Sequence, residues 1–196
     1  MNKKLKNKKL IEIGQRVIDR ETNALSALSI SLDESFSSAI ALIMGASGRV
    51  IVSGMGKSGH IARKIAATMA STGTPAHFVH PAEASHGDLG MIVKGDIVII
   101  LSNSGETPEL ANLIAYSKKC KIPMIGIAQN HQSTLLRKTD ISIVLPVAEE
   151  ACESGIVPTT STTMTLALGD ALSIALMETK KFTNNNFREF HPGGKL

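Results

Sequence analysis

Apolar residues recur at helical spacing through the first part of the chain: Leu10, Ile13, Val17, Ala24 and Leu28, then Phe36, Ile40 and Ile43. This spacing predicts two helices, broken near Ser31-Leu32-Asp33 and ended by Gly45. From Arg49 the pattern changes. Short apolar runs at Arg49–Ser53, Ala76–Val79, Asp96–Leu101, Pro123–Ala128 and Ile141–Leu145 read as strands. Between and after them, His60–Ser71, Pro108–Lys119, Ser133–Lys138 and Thr159–Lys180 read as helices. Gly54–Gly59 reads as a turn, His80–Gly90 as a loop or irregular helix, and Pro146–Pro158 as a long polar loop. A short tail helix precedes His191-Pro192-Gly193-Gly194. Strands alternating with helices predict an α/β fold, a doubly wound five-stranded parallel sheet with N-terminal helices. Right-handed crossovers then put every βα turn on one edge of the sheet, where such folds bind ligands.

The most informative stretch is Asp96 to Glu109. Its strand is apolar at consecutive positions, as a strand buried on both faces must be. It ends in Ser102-Asn103-Ser104-Gly105-Glu106-Thr107, all turn and capping types, and Thr107-Pro108 reads as an N-cap followed by a first helical residue. Free N–H groups and the positive end of a helix dipole favour an anion there. Ser102, Ser104 and Thr107 add hydroxyl donors, and no lysine or arginine lies in the turn. That suits a phosphate monoester held by hydrogen bonds. Ordinary capping of a βα turn explains one hydroxyl; three around a single glycine favour phosphate.

Gly54-x-Gly56-x-x-Gly59 follows a strand and opens a helix, as a dinucleotide fingerprint does. The second strand, however, ends Phe78-Val79-His80, with no carboxylate for the ribose hydroxyls. A P-loop would need glycine where Ile51 stands. The turn is therefore either a second anion-facing turn carrying Lys57 and Ser58, or a glycine turn with a solvated lysine. His80, Glu83, His86 and Asp88 lie within nine positions. They read as a polar loop with hydrogen-bonding histidines, with incidental zinc binding as the alternative. Glu149 and Glu150, in the loop after the last strand, are either solvated charges or a source of a general base.

Composition narrows the classes. The 196 residues suit one domain, placed at 10–196 behind a basic flexible tail at 1–9. A 43% hydrophobic share supplies a core, while 3% aromatic residues and no Trp argue against stacking on single-stranded nucleic acid. The net charge is +4, but Lys3, Lys4, Lys6, Lys8 and Lys9 contribute five positive charges, leaving −1 for the rest. No nucleic-acid partner is expected. Cys120 and Cys152 have no metal-ligand spacing and no His partner in sequence, which fits a reduced cytoplasmic protein; a catalytic thiol is the sharper alternative. Leu10–Arg16 is too short and too charged for a signal peptide, and no segment approaches a membrane-spanning length, so no membrane partner is expected.

Several motifs occur in order: Gly54-Met-Gly-Lys-Ser-Gly-His60, Ser71-Thr-Gly-Thr-Pro75, His80-Pro-Ala-Glu-Ala-Ser-His-Gly-Asp-Leu-Gly90, Ser102-Asn-Ser-Gly-Glu-Thr107, Pro158-Thr-Thr-Ser-Thr-Thr163 and His191-Pro-Gly-Gly194. As a set, over about Leu10 to Leu196, they resemble the arabinose 5-phosphate isomerases of the sugar-isomerase (SIS) domain superfamily. The resemblance implies a five-stranded parallel SIS sheet and a homotetramer. It implies reversible conversion of D-ribulose 5-phosphate to D-arabinose 5-phosphate, feeding 3-deoxy-D-manno-octulosonate for lipopolysaccharide or capsule. It implies catalytic positions at Lys57, Glu109, Glu150 and His191. Implied substrate-binding positions are Ser58, Gly73, Thr74, His80, His86, Ser102, Ser104 and Thr107. His80 is also the implied position of an inhibitory zinc, and no cofactor is required. Typical members continue after Pro-Gly-Gly into paired CBS domains, which this sequence lacks, so CBS-linked regulation is not expected and the isomerase domain is expected to be complete.

The residue types suit the chemistry. Isomerisation moves a proton between C1 and C2 through an enediol, and a second group moves protons between O1 and O2. Glu150 is preferred as the carbon base, His191 as the oxygen or ring-opening proton carrier, and Lys57 as oxyanion stabiliser. A residue so near the C-terminus lies on no βα turn, so His191 is expected to complete the site of a neighbouring subunit. A noncatalytic sugar-phosphate sensor on the same fold, or an isomerase of another phosphosugar, are the rival readings. A sensor has no need of Lys57, Glu150 and His191 together.

Overall fold

The structure is a computed structural model and describes residues 3–193. Five strands, β1 (Val50–Gly54), β2 (Ala76–Phe78), β3 (Ile97–Leu101), β4 (Met124–Ala128) and β5 (Ile141–Val144), form one sheet in the order β2-β1-β3-β4-β5. Every neighbouring pair is parallel. The three central strands, β1, β3 and β4, are buried at all positions, as their unbroken apolar runs require.

Alternate residues feed two cores. Val50, Val52, Ile97, Ile99 and Leu101 meet Ala24 and Leu28 of α1 (Lys3–Ser31), Ile43 of α2 (Glu34–Met44), Ile65 and Met69 of α3 (Gly56–Ser71), and Leu168 and Leu172 of α7 (Thr160–Thr179). On the opposite face Ile51, Val98 and Ile100 meet Ala84 of α4 (Pro81–Ala84), Leu113 of α5 (Ala111–Lys119) and Leu135 of α6 (Thr134–Lys138). A last helix, α8 (Asn184–Phe190), follows α7.

The break between the first two helices falls where the sequence puts it. Asp33 caps α2 by accepting the Ser35 N–H at 2.8 Å, and Gly45 ends that helix. Three boundaries differ. Helix α1 takes in residues from Lys3, which the sequence assigns to a flexible tail; lysine is a good helix former, and Lys8 lies 3.9 Å from Glu12 one turn on. Helix α3 starts at Gly56 rather than His60, so Lys57 and Ser58 belong to its first turn. Pro108–Leu110 is a single 3-10 turn leading into α5.

In this order the chain steps from β1 outward to β2, then crosses back to place β3 on β1's other side. The winding direction therefore reverses between β1 and β3. Connections leaving those two strands diverge at their C-terminal ends and open a crevice, the usual ligand position in doubly wound sheets.

Candidate functional site

The crevice is built from two βα turns. After β1, Met55 takes extended backbone at the N-cap of α3 but supplies no side-chain cap, so the first N–H groups of the helix are left for a ligand or water. Gly59 is needed for close approach: a Cβ there would lie 2.6 Å from the Gly54 carbonyl oxygen. Its role is helix-to-strand packing, which explains the glycine spacing without a dinucleotide. Lys57 is exposed and Ser58 half-buried beside it.

The turn after β3 is a rigid platform. Ser102 is buried, accepts the Gly105 N–H at 3.0 Å and lies 2.7 Å from the Thr107 hydroxyl. One of those two hydroxyl hydrogens is spent on the pair. With Ser102 buried and Thr107 half-buried, Thr107 is the member with a hydrogen to offer outward. Gly105 has φ +70°, and a Cβ on it would overlap the Ser133 side chain. Glu106 accepts the Thr134 N–H at 2.7 Å, a bond that, with the Thr134 hydroxyl, holds its carboxyl below the usual range. The turn is thus clamped onto the start of α6. Among the described residues, none accepts from the N–H groups of Asn103, Ser104 or Thr107.

The third wall is the start of α7. A cleft of about 200 Å³ lies among Lys57, Ser58, Asn103, Ser161, Thr162 and Thr165. It adjoins a larger cleft, about 520 Å³, lined by Arg20, Glu149, Glu150 and Cys152 among others; both share Asn103 and Pro158. Glu150 connects them. Its carboxylate accepts the Thr159 N–H at 2.7 Å, the Ser161 N–H at 3.3 Å, the Thr159 hydroxyl at 3.2 Å and the Ser161 hydroxyl. Burial alone would push this carboxyl up. The hydrogen bonds from Ser161 and Thr159 outweigh it and leave the pKa lowered, so Glu150 is an anion seated on a helix N-terminus. On the same loop, the Ser154 hydroxyl and the Val157 N–H bring the Cys152 thiol down to about 7.

Lys57, Ser58, Ser102, Ser104, Thr107 and Glu150 therefore share the C-terminal edge of the sheet. His80 joins that edge at the end of β2, where its Nδ1 accepts the Ala82 N–H at 3.3 Å and caps α4. His86 is exposed beyond α4, and Glu109 is exposed on the 3-10 turn with no partner among the described residues. His80, Glu83, His86 and Asp88 do not converge: no group of three or more His, Cys, Asp or Glu side chains among the described residues is arranged to hold a metal ion.

Gly73, Thr74 and His191 lie elsewhere. Gly73 and Thr74 precede β2, at the N-terminal edge, where Lys180 at the end of α7 donates to the Gly73 carbonyl at 3.1 Å and the Thr74 hydroxyl at 2.8 Å. Phe182 packs on Gly73, and Phe190 lies 5.6 Å from Phe182. His191 ends α8 there, stacked on Phe187 at 4.0 Å with Nδ1 2.7 Å from the Phe187 carbonyl oxygen. The 20-residue α7 separates the two groups by about 30 Å. One chain does not bring His191, Gly73 and Thr74 to Lys57 and Glu150. Gly194, the last residue of the His191 motif, lies outside the described residues.

Sequence reading quotes Asn103, Ser161 and Thr162 only within motifs, without a role of their own, and passes over Arg20. The hydroxyl run Pro158–Thr163 signals a helix start, but which loop carboxylate would cap it depends on tertiary packing. Asn103 hides between two serines that carry the phosphate argument.

The SIS domain profile matches residues 43–175. The chain is 48% identical over 190 residues to arabinose 5-phosphate isomerase KdsD of Pseudomonas aeruginosa, covering 97% of this chain and 58% of that protein. It is 51% identical over 185 residues to the protein of the same name in Yersinia pestis, covering 94% and 56%. The chain thus spans a little over half the length of these curated relatives. A structure from Escherichia coli CFT073, solved in complex with arabinose 5-phosphate, superposes with TM-score 0.93 at 43% identity, covering 98% of this chain and all of that one.

Proposed function

The chain belongs to the SIS-domain family, and from that premise we propose that it is an aldose–ketose isomerase interconverting D-ribulose 5-phosphate and D-arabinose 5-phosphate. The observation that carries this reading is the crevice between the β1 and β3 turns. There Lys57 and two sets of free N–H groups stand one helix start away from an ionised carboxylate, Glu150.

In this reading the phosphate rests on the N–H groups and hydroxyls of the two turns, chiefly Ser58, Ser104 and Thr107. Glu150 takes a proton from C1 of the ketose while O2 gains one, giving the enediol. After that proton exchanges with solvent on the carboxyl, Glu150 delivers a proton to C2 while O1 gives one up, giving the aldose. His191 carries the proton from O1 to O2, and Lys57 stabilises the oxyanion that develops between these steps. The hydrogen bonds that keep Glu150 ionised also fix where it points. Because α7 holds His191 far from this crevice within one chain, the reading includes a homo-oligomer, a tetramer by resemblance, in which His191, with Gly73 and Thr74, serves a neighbouring copy.

The reading extends to a cytoplasmic enzyme supplying 3-deoxy-D-manno-octulosonate synthesis. No metal cofactor enters, since carboxylate and imidazole supply both proton transfers. His80 uses Nδ1 as a cap, which leaves Nε2 for an inhibitory zinc. Chelators are then expected to leave the rate unchanged and excess zinc to inhibit, with His80→Ala relieving it; activity lost on chelation and restored by a metal overturns this. The reaction itself is tested by incubating the protein with D-ribulose 5-phosphate in D2O and following it by NMR. D-arabinose 5-phosphate carrying solvent deuterium at C2 is expected. No product, or a different aldose phosphate, overturns the assignment.

A further inference from the structure

Charged side chains on α1 grip the loop that carries Glu150. One guanidinium nitrogen of Arg20 donates to the Glu150 main-chain carbonyl at 3.0 Å, and the other lies 3.6 Å from the Glu149 carboxylate. One helical turn earlier, Arg16 meets Glu153 at 3.0 Å. The loop from Pro146 to Pro158 has no regular secondary structure of its own, so no ladder of backbone bonds holds it.

The two grips differ in kind. The Glu153 and Glu149 side chains are 82% and 84% exposed, and such surface pairs contribute little. Arg20 is half-buried and bonds the backbone of the residue whose carboxylate caps α7. A planar guanidinium with fixed donors sets a position as well as a charge. With its carbonyl held by α1 and its carboxylate by α7, Glu150 is pinned at both ends.

We propose that Arg20 is a positioning residue for Glu150, acting through the loop backbone without touching the reacting atoms. This rests on the reading of Glu150 as the base. The ionisable groups around Glu150 are Glu149, Cys152 and Glu153 on its own loop, Arg16 and Arg20 on α1, and Lys57 across the adjoining cleft. From α7 it meets only N–H groups and hydroxyls.

The test compares Arg20→Gln and Arg20→Lys with Arg16→Gln, reading kcat, KM, the acid limb of kcat and amide exchange at Thr159 and Ser161. Arg20→Gln is expected to lower kcat by about 10- to 100-fold with KM nearly unchanged, the cost of a misplaced group. Its acid limb moves to higher pH, because a loosened carboxylate loses the hydrogen bonds that favour its charged form. Exchange at Thr159 and Ser161 quickens. Arg20→Lys recovers part of each effect, since one ammonium reaches the carbonyl or Glu149 but does not reproduce the fork; Arg16→Gln changes none. Wild-type exchange and an unmoved acid limb in folded Arg20→Gln overturn the proposal. If that variant does not fold, the same wild-type values in Arg20→Lys overturn it. Wild-type activity that survives Glu150→Gln sinks the reading of the base instead, while the exchange measurement still decides the role of Arg20.

Discussion

In the proposed reading Glu150 serves fold and chemistry together. Its carboxylate satisfies N–H groups at the start of α7, so the ionised form is stabilised where a base is needed. Glu150→Gln is expected to lower kcat by about 10²–10⁴-fold, the usual range for a positioned acid–base group, with the protein still folded. The sign of its pH effect on stability follows from the lowered pKa. The folded value lies below the unfolded one, so the stabilising contribution is present above the ordinary carboxylate range and is lost as pH falls through the folded value. The melting temperatures of wild type and Glu150→Gln should therefore converge on acidification; a gap independent of pH contradicts the role. Ser102 and Thr107 carry a second lesson. Ser102→Ala takes one of two acceptors from the Gly105 N–H, which keeps the Ser102 carbonyl at 3.1 Å, and removes the partner of the Thr107 hydroxyl; it disturbs the turn itself and so is a poor probe of phosphate binding. Ser104→Ala with Thr107→Val is the better probe, and steady-state kinetics should show KM rising more than kcat falls.

At the scale of elements, the sheet was legible because its signal is local. Consecutive apolar residues in β1, β3 and β4 mark strands buried on both faces, and the turn residues that follow mark the ligand edge. Boundaries were less legible where glycine is concerned. Gly56 and Gly59 read as turn, yet Gly59 lies inside α3 because the helix must pack closely on Gly54. Capping partners distant in sequence were not legible at all: Glu106 on Thr134 and Glu150 on Thr159 and Ser161 are set by how elements meet. The β3 turn depends on such contacts. Gly105→Ala forces a side chain into left-handed backbone and against Ser133, so a loss of about 1–3 kcal/mol is expected by thermal or denaturant unfolding, with weakened phosphate binding. A variant as stable and as tight-binding as wild type contradicts the platform described for this turn.

At the scale of the molecule, the residues assigned to the proposed site divide between the two edges of the sheet. The motifs at His191 and at Gly73-Thr74 were visible in the sequence; that they sit about a helix length from Lys57 was not, since it follows from α7 running from one edge to the other. Helix α1 also leaves apolar side chains uncovered, with Ile18 65% and Ile30 87% exposed, which favours a second copy packed against it. The proposal that one active site takes its parts from opposite edges of two copies is tested most directly by subunit mixing. Inactive His191→Ala and inactive Glu150→Gln proteins are combined under conditions that exchange subunits, and conversion of D-ribulose 5-phosphate is followed. A shared site predicts that activity returns, because some mixed sites carry neither lesion. A mixture that stays inactive after exchange has been demonstrated by mass spectrometry contradicts it, since every site would then keep one lesion of its own chain.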